Sequence, residues 1–380
     1  TLPPLFPVMH AAYDTIPLGS ITLVNNEAGS VENVNVYYYL PRFMDAPRLS
    51  ATLPVLERKG EALVELHALL DKDILNETEG TAANAEIVVT YTFRGMEKTL
   101  RENIRADILY RNALTWDDDR KAASFVTARD PAILTLARNS QNIIRQHQNQ
   151  SVDQAFRQGI AIYEMLRVFE LSYVIDPESS YKELSSAGAM DFLQFPVETL
   201  LYQAGDCDDL SVLFCSLMEA LSVETAFITV PGHIFAAFAL DILPTDAGEV
   251  FPRSEGDLIF RNGKLWVPVE TTLLESGDFL EAWRVGASQW KEFNDQGRAG
   301  FWPVREAWEL YKPVGLVASI DNIKIPDASK ISSSYDSNII SYVQREIRFR
   351  SHTVFAAFGG QTRSISSGAA EYGKSLLFDR

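Results

Sequence analysis

Near Arg111 the hydrophobic pattern of the chain changes from alternation to helical spacing, and that switch limits the fold more than any other feature. Before it, apolar and polar residues alternate, as in Val34-Asn35-Val36. Runs rich in Val, Ile, Thr and Tyr occupy residues 21–25, 33–40, 85–93 and 99–110. The turn-forming cluster Asn25-Asn26-Glu27-Ala28-Gly29-Ser30 separates two of them. Short alternating runs with such breaks predict a β-sandwich of immunoglobulin-like type over residues 1–115. No catalytic grouping occurs in that stretch, so packing, or the holding of a protein partner, is its expected role.

After the switch, Ile133, Leu134, Leu136 and Ala137, then Ile143 and Ile144, recur at helical spacing, as do Ile160, Ile162, Leu166, Val168 and Phe169. Helical character is expected across 131–173, after Cys207 and over 279–290. Short strands are expected at 225–230, 234–240 and 264–269. Helices followed by antiparallel strands predict an α+β core over residues 116–325. Residues 326–380 read as a C-terminal extension that is partly helical. There 336–350 is amphipathic through Ile339, Ile340, Val343 and Ile347, whereas 359–368 is small and polar without periodicity.

The balance of 34 Lys and Arg against 51 Asp and Glu gives a formal charge of −17. Such a chain repels phosphate backbones and anionic lipid, so neither nucleic acid nor a membrane surface is the expected partner. No window approaches about 18 consecutive apolar residues, and no membrane insertion is expected. The chain opens at Thr1 rather than Met, as it would after removal of an upstream segment. Location stays open on this reading, with a periplasmic or cell-envelope setting favoured. Two cysteines form no CxxC pair, and His10, His67, His147, His233 and His352 show no HExxH or HxH spacing, so neither a metal nor a cofactor is expected. The triplet Asp117-Asp118-Asp119 lacks the spaced ligands of a calcium loop and suits a helix N-terminus instead.

One of the two cysteines stands among three carboxylates, in Ala204-Gly205-Asp206-Cys207-Asp208-Asp209-Leu210. Negative neighbours raise a thiol's pKa. A helix starting at Cys207 would reconcile the two, with Asp206 as N-cap and Asp209 three residues beyond it. The helix terminus would then lower the thiol pKa, and the Cys207 amide would face a developing oxyanion. Cys215, two turns further into the apolar run, reads as a packing residue. Further on, His233 follows the Pro231-Gly232 turn and opens a strand, and Glu270 closes the next strand. In that order the three can act as nucleophile, proton carrier and orienter.

These segments resemble a known family. Phe195-Pro196-Val197-Glu198-Thr199-Leu200, Gly205-Asp206-Cys207-Asp208-Asp209-Leu210-Ser211 and Pro231-Gly232-His233-Ile234-Phe235 are similar to bacterial transglutaminase-like proteins, of the transglutaminase and papain-like thiol superfamily. The resemblance covers roughly residues 122–290. It implies a helix carrying cysteine against an antiparallel sheet carrying histidine and an acid, with Cys207 as nucleophile, His233 as base and then acid, and Glu270 as orienter. The family more often has aspartate in the third place, and Asp241 is the rival there. It also implies an oxyanion-hole side chain before the cysteine; Gln194 is the candidate, ahead of Gln203 and Tyr202. The expected activity is acyl transfer from amide bonds of proteins or peptides, hydrolytic in the first instance. Protein crosslinking is the chemical alternative, and a non-catalytic binding or assembly protein is the alternative from another class.

Overall fold

The computed structural model describes residues 2–146, 152–175, 190–316, 323 and 325–357, with side chains up to residue 346. The chain divides into two compact units. The first comprises Thr1–Thr115, Met190–Phe192 and Trp308–Lys312; the second comprises Trp116–Ala189, Leu193–Ala307 and Pro313–Arg380.

The first unit contains β1 (Gly19–Val24), β2 (Val31–Tyr39), β3 (Arg48–Leu56), β4 (Glu61–Leu66), β5 (Thr81–Phe93), β6 (Met96–Ile108) and β7 (Ala113–Thr115). Strands β3-β2-β5-β6 form an antiparallel sheet, and β1 pairs with β4. Val34, Val36 and Tyr38 point inward from β2, and Ala85, Ile87 and Val89 from β5, each set two residues apart as one face of a strand requires. The β5–β6 hairpin closes through Arg94 (φ 52) and Gly95 (φ 76), two positive-φ residues whose twist suits a two-residue turn. Strands β3, β4 and β7 were not expected from the sequence. Strand β3 contains Pro54, which is tolerated because β3 is an edge strand, where a missing N–H costs no ladder bond.

In the second unit the helices α1 (Pro131–Gln146) and α2 (Gln154–Val168) precede a two-residue strand, β8 (Ser172–Tyr173). The next strand, β9 (Met190–Phe192), belongs to the first unit, where it pairs with β7. There follow α3 (Pro196–Tyr202), β10 (Ala204–Gly205), α4 (Cys207–Ala220), β11 (Thr225–Val230), β12 (His233–Ala239), α5 (Ala247–Val250), β13 (Ile259–Arg261), β14 (Lys264–Val269), α6 (Phe279–Asp295), β15 (Gly300–Pro303), α7 (Val304–Ala307) and α8 (Ala328–Ala357). The sheet order is β13-β14-β12-β11-β15, antiparallel throughout.

Both faces of this sheet are covered. Ile228, Phe235, Ala237 and Trp266 pack with Trp290 of α6 on one side, and Phe238 meets Phe214 of α4 on the other. Strand β11 is therefore buried at every position and shows no alternation. Helix α4 is itself buried from Cys207 to Glu219, which makes it the centre of the unit.

Two expectations need correction here. Helical structure ends at Val168, not Tyr173: Glu170 takes a left-handed conformation (φ 61), and Ser172–Tyr173 form a strand. Asp117–Asp119 lead into a 3-10 turn, Asp119–Phe125, capped by Asp118. The C-terminal helix starts at Ala328 and buries Ile331, Tyr335, Ile339, Tyr342 and Val343, while Ile340 stays exposed. Residues 359–368 and His147 lie outside the described residues. No helix among the described residues is long and apolar enough to cross a membrane.

Candidate active site

Asp206 is extended (φ −95, ψ −159) and caps α4. Its Oδ1 accepts from the Asp208 amide at 3.3 Å, and its own amide donates to Asp209 Oδ2 at 3.2 Å. Asp209 also reaches outward, its Oδ1 accepting from the Gln194 amide at 2.7 Å. Asp208 Oδ1 in turn accepts from the Asp209 amide at 2.9 Å, so all three acids around Cys207 take amide hydrogen bonds from the helix start or the preceding loop. Asp206 and Asp209 do so in the reciprocal capping expected of acids in these places. The Cys207 amide, the first of the helix, has no acceptor among the described residues. The carbonyl of Cys207 accepts from Ser211 Oγ at 2.6 Å, and Ser211 Oγ meets Thr271 Oγ1 at 3.0 Å, which ties the helix start to the segment after β14.

The Pro231-Gly232 turn, with Gly232 at φ 68, joins β11 to β12 and sets His233 at the first position of β12. β12 runs antiparallel to β14, with Ala236 opposite Val269, so the end of β14 comes alongside the start of β12. There His233 Nε2 lies 2.7 Å from Glu270 Oε2. Glu270 is buried, and its Oε1 accepts from the Thr272 amide (3.1 Å) and hydroxyl (2.7 Å). Burial alone would raise this carboxyl, but the hydrogen bonds and charge of His233, with those from Thr272, hold it below its usual range. An ionised carboxylate only accepts, so Nε2 carries the proton and Nδ1 of the neutral ring has a free lone pair.

The amide of Ile234, the residue after His233, lies near enough to Cys207 to favour its thiolate. The thiol, the imidazole and the carboxylate therefore converge where the α4 N-terminus abuts the β12–β14 edge. The thiol itself is not acidic. Burial foremost, then Asp206, with Glu270 and Asp209 adding, push it up to about 12 against the opposing Ile234 amide. This corrects the expectation that the helix terminus lowers it: with Cys207 only 4% exposed, lost hydration outweighs the helix dipole. Cys215 is fully buried and pushed up further by the same cause.

Asp208 is buried beside Asp206, and its Oδ2 has no donor in the protein. Burial first, and then the Asp206 carboxylate, raise it well above the usual range. Asp206, Cys207 and Asp208 present donor atoms within 4.8 Å of one another, close enough for a cation. Helix capping accounts for their spacing without one.

Of the oxyanion candidates, Gln194 sits beside the first turn of α4 through its bond to Asp209, with its buried Oε1 unpaired. Gln203 adopts φ 54 and donates its Nε2 to Phe169 O at 3.3 Å, and Tyr202 is 58% exposed. Asp241 is exposed and donates its amide to Asp153 Oδ2, away from His233, whose partner is Glu270. Sequence reasoning missed Ser211, Thr271 and Thr272, whose roles depend on which hydroxyls the fold brings together, and also Tyr173. For Tyr173 a signal existed: Leu171-Ser172-Tyr173-Val174-Ile175 has strand composition.

Compared with family models, curated proteins and solved structures, the chain matches none.

Proposed function

We propose that the chain is a thiol acyl-transfer enzyme of transglutaminase-like type, acting on amide bonds of proteins or peptides, with an immunoglobulin-like module as its first unit. The observation that carries this reading is the 2.7 Å contact of His233 Nε2 with Glu270 Oε2, on a strand whose next amide, that of Ile234, lies near enough to Cys207 to favour its thiolate. A histidine oriented by a buried carboxylate beside a thiol is the arrangement that nucleophilic catalysis needs. A protonated thiol does not attack by itself, so proton removal must accompany attack. His233 Nδ1 takes the thiol proton as Sγ bonds the acyl carbon and the carbonyl π pair moves to oxygen. When the oxyanion collapses, the C–N bond breaks and the imidazolium returns the proton to the leaving amine. Water then attacks the thioester by the same steps; an amine in its place would give crosslinking.

The test is capture of the thioester with hydroxylamine during incubation with a casein digest. Hydroxamate should form with the wild type and the Cys215→Ala protein, and fail with Cys207→Ala. Equal hydroxamate from the Cys207→Ala protein would overturn the reading. A second reading, a non-catalytic binding protein, draws on the burial of Cys207; no hydroxamate from any of the three proteins would favour it.

A further inference from the structure

Tyr173 lies on a two-residue strand beside the residues that lead into α4. Strand β8 is two residues long and parallel to β10, with Tyr173 opposite Gly205. The Val174 amide donates to Gly205 O at 3.0 Å, and the Ser172 amide donates to Gln203 O at 2.9 Å. Paired residues of neighbouring strands project from the same face. The face in question is fixed by Gly205. A Cβ there would lie 2.7 Å from Asp209 Cβ and 3.3 Å from Thr199 Cγ2, so this face looks onto the first turn of α4. The ring of Tyr173 is thereby directed at the turn that starts with Cys207.

A second observation agrees. After burial, the groups that act most on the phenol are Cys207, Asp206, Glu270 and Asp208, and together they hold it up at about 12. The hydroxyl thus stays protonated and can donate across the neutral range. It is half-buried and has no hydrogen-bond partner among the described residues. A donor kept neutral by surrounding negative charge and left unused by the protein suits a negative charge that appears only during reaction.

We propose that the Tyr173 hydroxyl donates a hydrogen bond to the oxyanion formed when Cys207 attacks an acyl carbon, alongside the Cys207 amide. The inference rests on the acyl-transfer reading of the site. As the Sγ–C bond forms and the thiol proton passes to His233, the π pair settles on oxygen, and the phenol donates to it without giving up its proton. The negative potential around Cys207 makes such a donor more necessary here than in a neutral pocket. The Asp206 and Glu270 carboxylates oppose the growth of another negative charge.

The probes are p-nitrophenyl acetate, whose attack by Cys207 builds an oxyanion, and iodoacetamide, whose displacement by the same sulfur builds none. Tyr173→Phe should lower the rate of Cys207 acetylation about a hundredfold and leave its alkylation by iodoacetamide unchanged. Unchanged acetylation, or a parallel fall of both rates, would overturn the proposal, since a hydroxyl that merely positions the sulfur affects both reactions. Should Tyr173→Phe fail to fold, 3-fluorotyrosine at the same position keeps the shape and makes a stronger donor; acetylation should then rise relative to alkylation, and a constant ratio would count against the hydroxyl. Failure of the underlying reading looks different: the wild type itself would not acetylate at Cys207.

Discussion

The two ends of α4 are equally buried and handle negative charge in opposite ways. At the C-terminal end Glu219 is met by a cation. Arg305 Nε lies 2.9 Å from its Oε2, while Oε1 accepts from the Thr225 amide at 2.7 Å and the Thr225 hydroxyl at 3.0 Å. At the N-terminal end Asp206 and Asp208 have no Lys or Arg partner among the described residues and push against each other instead, with Glu270 close by on His233. One end is satisfied as a structural site is. The other keeps an excess of negative charge around a thiol that could have been spared it. Charge left uncompensated in a buried place costs stability, and such places are where chemistry tends to occur.

The strongest way to break this contrast is at Glu270. Glu270→Gln removes the charge that orients and stabilises the imidazolium while keeping bonds to Thr272, so Cys207 acetylation should fall about a thousandfold with little change in thermal stability. Full retention of activity would mean that the carboxylate serves only the local fold.

Stability of paired variants sharpens the contrast itself. Arg305→Met leaves a buried carboxylate at the structural end and should lower the free energy of unfolding by about 1–3 kcal/mol in urea titrations. Asp208→Asn at the other end replaces a repelled carboxyl with a neutral donor to Asp206, and should be neutral or stabilising by about 1 kcal/mol. Equal losses at the two ends would dissolve the distinction.

The smallest effect concerns pH. Because burial and Asp206 hold the Cys207 thiol at about 12, its thiolate fraction, and hence its alkylation by iodoacetamide, should climb about tenfold per pH unit from 7 to 10 without a plateau. Cys215, with no exposure at all, should react more slowly throughout. A plateau beginning near pH 6 would reveal a thiolate–imidazolium pair in the resting protein. The same shift has a consequence for stability. The folded state binds the thiol proton more tightly than the unfolded chain does, so this contribution is full below about pH 9 and is lost as pH rises towards 12.

Much of this was legible in local sequence. The change of hydrophobic pattern near Arg111 marks the passage from strands to helices, because side-chain direction repeats with backbone geometry wherever one face is buried. The helix start at Cys207 was readable from Asp206 and Asp209, because capping is an interaction among residues three apart. His233 after Pro231-Gly232 and Glu270 after Lys264–Val269 were readable as strand ends. The edge strand β3 was not read from the sequence, and it carries Pro54, a residue excluded only from sheet interiors. The fully buried strand β11 shows why alternation fails as a guide once both faces are covered. What only the tertiary structure decided was electrostatic and long-range. The thiol pKa moved up, although the local motif predicts that it moves down, because hydration lost by packing depends on everything around Cys207, not on its neighbours in sequence. Tyr173 reached the site through a two-residue pairing with Gly205, 32 residues further along the chain, and no local period records a contact of that kind.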